Sequence, residues 1–489
     1  MTFRAKSSWL FYLLVFILIS SLLIFIASNI PPMKKQLILT FASLTLATAI
    51  FAQKPSWTSL FDGKTLNGWK KLAGSADYKV EDGAIVGTTV PNSGNTFLVT
   101  DKEYDNFIVE LDIRVADTTS NSGVQVRSHY DPAGHQGKGL VYGCQLEVDP
   151  SSRRWTGGIY DEGRRDWLYP VTLNPKAQTA FKPGQYNHFR VECIGQTMKT
   201  WVNGIAVASL CDDKDNKGFI GLQVHAVSRP EATGRKVYFK NIRIQTEDLH
   251  STAFPKGVYV VNTIPNTLTE DEKSSGWKLL FDGKTSGSWV GAYKDKFPDT
   301  GWVISDGMIN VHETQGKEGG TGGDIVTRET YKSFDLSFDF RLTPGANSGV
   351  KYFVRLSPEE KNSGSAIGLE YQVLDDSLHP DAKLGRNGDR TLSSLYDLIT
   401  ANKQRRFIHP IGQWNTGRVI VYPNNHVEHY LNGIKVLEYE RGSKEFKDLV
   451  AISKYKIWHE FGEATEGHLL LQDHGNDVSY RSIKVRELK

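Results

Sequence analysis

One cassette opens each half of this chain: Trp57-Thr-Ser-Leu-Phe-Asp-Gly-Lys-Thr-Leu-Asn-Gly-Trp69 and again Trp277-Lys-Leu-Leu-Phe-Asp-Gly-Lys-Thr-Ser-Gly-Ser-Trp289. The two tryptophans are equally spaced in both copies, and the segment Leu-Phe-Asp-Gly-Lys-Thr is identical. A cassette that recurs after the length of a domain indicates an internal duplication. Because Asp-Gly favours a tight turn, we interpret each copy as an entry strand and turn rather than as a binding site.

Short alternating segments follow the cassette in the same order in both halves. Residues 106–115 alternate apolar and polar side chains, as in a half-buried strand, and residues 334–342 match them. Asp-Gly and Asn-Gly turns between apolar runs predict hairpins. In the first half, no segment has the pattern of a helix of ordinary length. The sequence therefore predicts an all-β protein with two tandem β-sandwich (jelly-roll) domains.

The duplication also predicts the domain boundaries. We expect the first sandwich at residues 54–246 and the second at residues 277–489. Residues 247–276 contain two prolines and an acidic run, and we interpret them as a linker with one short strand near residues 258–261.

The composition excludes several classes of protein. The chain has 489 residues, 23% of them charged, and a formal net charge of +3, which is ordinary for a soluble protein. No long Lys/Arg run is present, so the sequence does not favour a nucleic-acid partner. The three cysteines lack the spacing of a zinc or thioredoxin-type site, and we expect them to be small buried side chains.

The N-terminus carries two apolar runs. Residues 33–53 have a basic start, a short apolar stretch and small residues at the exit, and they predict a signal peptide. Residues 1–32 then form an upstream apolar extension, although residues 9–28 are long enough to anchor the chain in a membrane. Either interpretation places the two sandwiches in the periplasm or outside the cell.

Several motifs together resemble a known family: Leu-Phe-Asp-Gly-Lys-Thr, Asn-Ser-Gly, Glu370-Tyr-Gln-Val-Leu-Asp375, Leu395-Tyr-Asp-Leu398 and Leu471-Gln-Asp-His-Gly475. In this order they are similar to the 3-keto-disaccharide hydrolase domain, and the resemblance covers both halves. It implies a concanavalin A-like (laminin G-like) β-sandwich. It also implies carbohydrate substrates, 3-keto-glucosides, whose glucosyl C3 is oxidised to a ketone.

Such a substrate requires a particular chemistry. The C3 ketone acidifies the proton on C2, so a base can form an enolate and the C1 substituent can leave by β-elimination before water adds. The site then needs a base near C2, a group that holds the enolate oxygen and an acid for the leaving oxygen. A bound divalent metal ion is another way to polarise the ketone. Ordinary glycosidases instead place two carboxylates across the scissile bond.

The polar faces of the predicted strands and the loops beside them supply the candidates. The catalytic candidates are Glu147, Asp149 and His225 in the first half and Glu370, Asp375 and His474 in the second. The substrate-binding candidates of the first half are Arg127, His129, Gln145, Tyr160, Asp161, Glu162, Arg164, Arg165 and Gln223. Those of the second half are Lys351, Tyr352, Arg355, Gln372, Tyr396, Asp397, Gln472 and Asp473.

Simpler interpretations compete with these roles. Alternating polar residues often form only the solvated face of a sheet, and Arg164 and Arg165 can form a surface ion-pair cluster with Asp161 and Glu162. Because this fold often only binds sugars, the rival function is a non-catalytic pair of carbohydrate-binding modules. A third interpretation has one catalytic repeat and one binding repeat. Convergence of Glu147 with His225, or of Glu370 with His474, in a pocket would favour the enzyme.

Overall fold

The computed structural model of the protein describes residues 57–115, 117–228, 232–317, 319–356 and 366–489. The predicted apolar extension and signal peptide, residues 1–53, lie outside the described residues. Within the described ranges, no helix combines the length and apolarity needed to cross a bilayer.

The first repeat is a sandwich of two sheets. Its strands are β1 Thr58–Ser59, β2 Trp69–Ala73, β3 Asp77–Glu81, β4 Ala84–Thr88, β5 Thr96–Thr100, β6 Phe107–Val115, β7 Ser122–Asp131, β8 Leu140–Val148, β9 Ile159–Glu162, β10 Asp166–Tyr169, β11 Asn187–Ile194, β12 Thr197–Val202, β13 Ile205–Cys211, β14 Phe219–Val224 and β15 Lys236–Gln245, and β16 Val261–Asn262 follows. One sheet has the order β16-β13-β12-β11-β6-β15-β4-β3, with β1 beside β15. The other has the order β10-β9-β8-β7-β14-β5-β2.

The second repeat uses the same arrangement. Its strands are β17 Lys278–Leu279, β18 Trp289–Gly291, β19 Trp302–Ser305, β20 Met308–Val311, β21 Ile325–Thr327, β22 Phe334–Leu342, β23 Asn347–Val354, β24 Leu369–Leu374, β25 Asn415–Val421, β26 His426–Leu431, β27 Ile434–Glu440, β28 His468–Leu471 and β29 Val478–Glu487. Its sheets have the orders β19-β20-β29-β22-β25-β26-β27, with β17 beside β29, and β18-β21-β28-β23-β24. The predicted all-β fold with two tandem sandwiches is confirmed.

Period-two alternation builds each core. In β6, Leu111 and Ile113 are buried between the sheets, while Asp112 and Arg114 lie on the opposite face and are only half-buried. Apolar residues from both sheets of each repeat form one continuous cluster. All three cysteines are buried free thiols, as predicted.

The opening cassette is structural in both copies. Asp62 Oδ1 accepts hydrogen bonds from the backbone N–H groups of Lys64 (2.8 Å) and Thr65 (2.7 Å), and Asp282 accepts the equivalent pair at the same distances. A carboxylate that bonds backbone two and three residues on fixes a tight turn. The interpretation of the cassette as an entry turn is therefore confirmed.

The helices are short. They are α1 Gly134–Gly137, α2 Glu270–Ser274 and α3 Lys444–Ile452, and the 3-10 turns are Val171–Leu173, Pro175–Thr179, Pro380–Lys383, Arg405–Phe407 and Lys454–Ile457. α3 lies in the second repeat, has 9 residues and is not among the predicted elements. Ser443 caps α3, since its Oγ accepts from Phe446 N (3.1 Å), and Phe446 anchors it in the core. A Ser cap followed by one buried aromatic residue was the available signal.

The predicted linker is packed against both sandwiches. Its strand β16 lies at residues 261–262, slightly after the expected position, and pairs in parallel with β13. Tyr259 packs in the core of the first repeat. Its hydroxyl forms a hydrogen bond with the Oγ of Ser337 in the second repeat (2.8 Å). Glu272 forms a buried ion pair with Lys484. Residues 247–276 therefore act as a structural connection between the repeats.

Candidate active site

The same two strands carry the polar candidates in each repeat. In β7 and β8, Gln125 lies directly opposite Gln145, and in β23 and β24, Lys351 lies directly opposite Glu370. All four side chains are buried. Gln145 and Glu370 rest beside a glycine of the partner strand, Gly123 and Gly349 respectively, where an added Cβ would overlap them. The repeated Asn-Ser-Gly motif therefore makes room for the site.

A chain of amides surrounds one carboxyl group in the first repeat. Gln125 donates to Gln145 (2.9 Å), Gln145 donates to Glu147 Oε2 (3.1 Å), and Asn121 donates to Glu147 Oε1 (2.6 Å). Burial raises the pKa of Glu147 to about 7, against the lowering effect of the two amide donors. A carboxyl group with this pKa can exchange a proton near neutrality.

His225 and Glu162 lie beside this network. Asn95 connects them: its Nδ2 donates to Glu162 Oε1 (3.0 Å), and its Oδ1 accepts from the backbone N–H next to His225, that of Ala226 (2.8 Å). Desolvation lowers the pKa of His225, although the Ala226 carbonyl and the charge of Asp149 oppose the shift. The imidazole is therefore neutral near pH 7 and can accept a proton.

A pocket of about 360 Å³ opens at His225, and we call it the reaction pocket. It is lined by Thr89, Thr119, Ser120, Asn121, Val224, His225, Ala226, Val227, Ser228, Ala232, Arg235, Lys236 and Val237. Asn121 joins the pocket to Glu147 behind it. The Asn121 Oδ1 and the Gln223 Oε1 are buried and have no hydrogen-bond partner among the described residues. Arg235 adds a cation to the wall.

The second repeat places charges where the first has amides. Lys351 Nζ lies 3.6 Å from Asp324 and donates to the Ala366 carbonyl (3.1 Å). Asp324 is almost fully buried and also accepts from the backbone of Ala366 (3.2 Å) and Asp473 (2.9 Å). Glu370 lies close enough to Tyr396 for its charge to raise that pKa, after desolvation. Gln372 is buried at the position equivalent to Glu147.

His474 approaches a second imidazole. The rings of His379 and His474 meet edge to face, with centroids 5.6 Å apart. Desolvation and then the charge of His474 lower the pKa of His379. Asp375 instead closes a turn, accepting from the backbone of Gly345 (2.8 Å) and Ser377 (2.9 Å). Asp473 is held by backbone N–H groups, including that of Gly475 (3.0 Å).

The two Tyr-Asp pairs anchor arginines. Asp161 is fully buried and binds Arg164 and Arg165, which also pair with Asp215 and Asp212. Asp397 binds Arg390 (2.7 Å), while Tyr396 and Arg390 share Asp381. Tyr160 donates to Asp166 (2.7 Å). Arg164 and Arg165 thus form the expected ion-pair cluster with Asp161. Glu162, which was expected in the same cluster, instead accepts a hydrogen bond from Asn95.

Strict alternation along β7 predicts that Gln125, Arg127 and His129 lie on one face, and this prediction is wrong. A β-bulge interrupts β7 between Gln125 and His129, and Arg127 adopts a φ of 49°. The Arg127 guanidinium turns away and donates to the carbonyls of Asp105 (2.6 Å) and Gly195 (2.7 Å). His129 pairs with Asp215 (3.2 Å).

Two further candidates, Tyr352 and Arg355, lie away from the polar groups described above, and a third, Asp149, is engaged in an ion pair. Tyr352 is wrong as a substrate-facing residue: alternation puts it in the core, bonded to His429 and Tyr439 (2.8 Å each). Arg355 is exposed and only 3.9 Å from Glu460. Asp149 is tied to Arg153 (2.8 Å) at the end of β8.

Metal-ligand atoms come together at one place in the described part of the chain. His426, Glu428 and Glu438 lie on β26 and β27, away from the reaction pocket. Lys435 Nζ already pairs with Glu428 (3.1 Å) and Glu438 (2.6 Å) there. The geometry therefore favours ion pairing over metal binding at this cluster.

Sequence reasoning missed Asn95, Asn121, Arg235 and Asp324. Asn121 belongs to the Asn-Ser-Gly motif found in both halves, which was the available signal. Asn95, Arg235 and Asp324 come from loops distant in sequence, and no local pattern marks them.

Comparisons with known proteins agree with these motifs. A family model described as 3-keto-alpha-glucoside-1,2-lyase-like domain matches residues 56–245 and 276–486. A 3-keto-disaccharide hydrolase of Bacteroides thetaiotaomicron is 36% identical over 234 residues, which are 44% of this chain and 79% of that protein.

Solved structures are similar as well. A proposed glycosyl hydrolase from Parabacteroides distasonis is 29% identical, covering 46% of this chain and all (100%) of that one, with a TM-score of 0.40. A second from the same organism is 25% identical and covers 43% and 99%, with a TM-score of 0.33.

Proposed function

Because this chain belongs to the family of 3-keto-alpha-glucoside-1,2-lyase-like domains, we propose that it is a glycosidic hydrolase that cleaves 3-keto-glycosides. The cleavage proceeds by removal of the C2 proton, β-elimination of the C1 substituent and addition of water. The products are the free aglycone and the 3-keto sugar.

The residues of the first repeat fit the steps of this reaction. His225 takes the C2 proton, since its ring is neutral and exposed in the reaction pocket. Arg235 holds the enolate oxygen that develops on the C3 carbonyl. Glu147 gives its proton to the leaving C1 oxygen once that oxygen replaces Asn121 on Oε1. The C1–O bond then breaks, C1 and C2 become doubly bonded, and water adds across them.

One observation carries the assignment to the first repeat. Asn121 lines the pocket that contains His225, and it donates to Oε1 of Glu147 (2.6 Å), the buried carboxyl group whose pKa burial raises to about 7. A titratable carboxyl group linked in this way to a pocket histidine supports an enzyme over a binding module.

The test incubates the purified protein with a 3-keto-disaccharide and with its unoxidised parent, each with and without chelator. We expect release of the aglycone from the keto sugar only. Release from the unoxidised parent alone would indicate an ordinary glycosidase, and no release from either would reject the enzyme. The chelator arm tests whether a divalent metal ion, which would polarise the C3 ketone, assists the step.

We also propose that the protein is exported, on the signal-peptide pattern of residues 33–53. The N-terminal residue of the mature protein, determined by mass spectrometry, tests this. A start before Ala52 would contradict cleavage.

A further inference from the structure

A second cavity, of about 470 Å³, adjoins the reaction pocket. It is lined by Thr118, Asp149, Pro150, Ser151, Ser152, Arg154, Thr156, Ala177, Gln178, Thr179, Phe181 and Pro183. One turn separates the two cavities, because Thr118 lines the second and residues 119–121 line the first. The two cavities therefore lie on the two sides of one turn.

Asp149 ties the second cavity to the reacting groups. It lies on the cavity wall, and its charge raises the pKa of His225 and adds to the raised pKa of Glu147. Its own carboxylate is occupied, since it accepts from Ser151 N (3.1 Å) and pairs with Arg153 (2.8 Å). Arg153 thus balances the charge of Asp149, and the exposed Arg154 is the other charged residue of the lining.

The remaining lining combines apolar surfaces with hydroxyl-binding groups. Phe181 is half-buried and braced by Phe189, with ring centroids 6.3 Å apart, and Pro150 and Pro183 extend this apolar surface. Thr156 is 4% exposed, and its Oγ1 has no hydrogen-bond partner among the described residues. Apolar walls with a few polar groups are suited to a pyranose, which has apolar C–H faces and a rim of hydroxyls.

We propose that this second cavity is an aglycone subsite that binds the leaving sugar ring, a neutral hexose, while the 3-keto ring occupies the reaction pocket. The proposal rests on the proposed function for the orientation of the substrate. It assigns Phe181 as the platform for the leaving ring and Thr156 as a hydroxyl partner.

Two substrates separate this subsite from the reaction pocket: a 3-keto-disaccharide and the methyl 3-keto-glucoside, which has no second ring. For Phe181→Ala we expect a rise of about ten-fold in KM for the disaccharide and no change for the methyl glycoside. Thr156→Val should have the same selective effect, only smaller. Lys182→Ala, an exposed neighbour outside the cavity lining, is the matched control and should change neither. Equal changes for both substrates, or none for either, would overturn the subsite.

Binding of free hexose, followed by saturation-transfer NMR, tests the cavity without turnover. Wild type should bind the hexose, Phe181→Ala should lose that binding, and His225→Ala should keep it. If wild type cleaves neither substrate, the proposed function fails, and the hexose result still decides the subsite. Absence of hexose binding by wild type, or equal binding by Phe181→Ala, would reject it.

Discussion

The two repeats share one frame and differ in the chemistry mounted on it. Where the first repeat pairs Gln125 with Gln145, the second pairs Lys351 with Glu370. The first keeps one carboxyl group among amides, and desolvation raises its pKa to about 7. The second adds the acids Asp324 and Asp473 and a lysine. Duplication has thus retained the glycine that makes room on the sheet while the groups filling that room have diverged.

The largest expected effect distinguishes the two repeats directly. Glu147→Gln removes the proton donor and should lower kcat/KM for a 3-keto-disaccharide by roughly 10²–10⁴-fold. Glu370→Gln is the matched variant in the second repeat and should stay within a few-fold of wild type. Circular dichroism checks that both variants fold. The opposite ranking would move the reaction to the second repeat.

Both repeats also place a carboxylate between two arginines, but at different burial. Asp335 binds Arg418 (2.7 Å) and Arg486 (2.8 Å), and the Arg418 side chain is only 8% exposed. Glu110 binds Arg190 and Arg243 (2.6 Å each), and the Arg243 side chain is 50% exposed. The linker contributes to the burial of the second repeat's pairs, since Tyr259 covers Arg418 at 4.1 Å.

Removing the two charges should therefore have unequal costs. Asp335→Asn should lower the free energy of unfolding by ~3–5 kcal/mol, because it leaves buried arginines without their counter-charge. Glu110→Gln should cost about 1 kcal/mol.

Burial alone would raise the pKa of Asp335, but Arg418 and Arg486 hold it below its usual range. Its stabilisation is thus present at neutral pH and lost as the pH falls through that pKa. Urea unfolding at pH 7 measures the loss of unfolding free energy in each variant, and urea unfolding in acid checks the pH dependence. Equal losses for Asp335→Asn and Glu110→Gln would contradict the role of the linker.

The fold was largely predictable from the sequence, because a duplicated cassette and period-two alternation act locally. The site was predictable only in part. Glu147 and His225 lie on strand faces or ends that alternation identifies, but the bulge between Gln125 and His129 in β7 interrupts the alternation, so the positions of Arg127 and His129 are predicted wrongly. Long-range contacts hid the rest: Asn95 joins Glu162 and Ala226 across three segments of the chain. No sequence period encodes such a contact.

The pH dependence should reflect the first repeat alone. With His225 as base and Glu147 as acid, kcat/KM should rise as His225 loses its proton below pH 6.5 and fall as Glu147 ionises around pH 7. The Asn121 hydrogen bond lowers the pKa of Glu147, so Asn121→Ala should move the descending limb to higher pH. The equivalent of Glu147 in the second repeat is Gln372, which does not titrate. A descending limb that does not move would therefore contradict the assignment of Glu147.

The smallest expected effect concerns α3, which has no counterpart among the described residues of the first repeat. Ser443→Ala removes the cap on Phe446 N and should lower the free energy of unfolding by about 1 kcal/mol. Just after α3, Lys454 N in the next 3-10 turn donates to Asp397 Oδ2 (2.7 Å), so the chain that leaves the helix is held against the Tyr396-Asp397 pair of the second repeat. Urea unfolding measures the loss of stability, with Lys444→Ala, an exposed neighbour, as the control. Because the reaction is assigned to the first repeat, turnover by Ser443→Ala should equal that of wild type, and a parallel loss of turnover would show that the second repeat takes part.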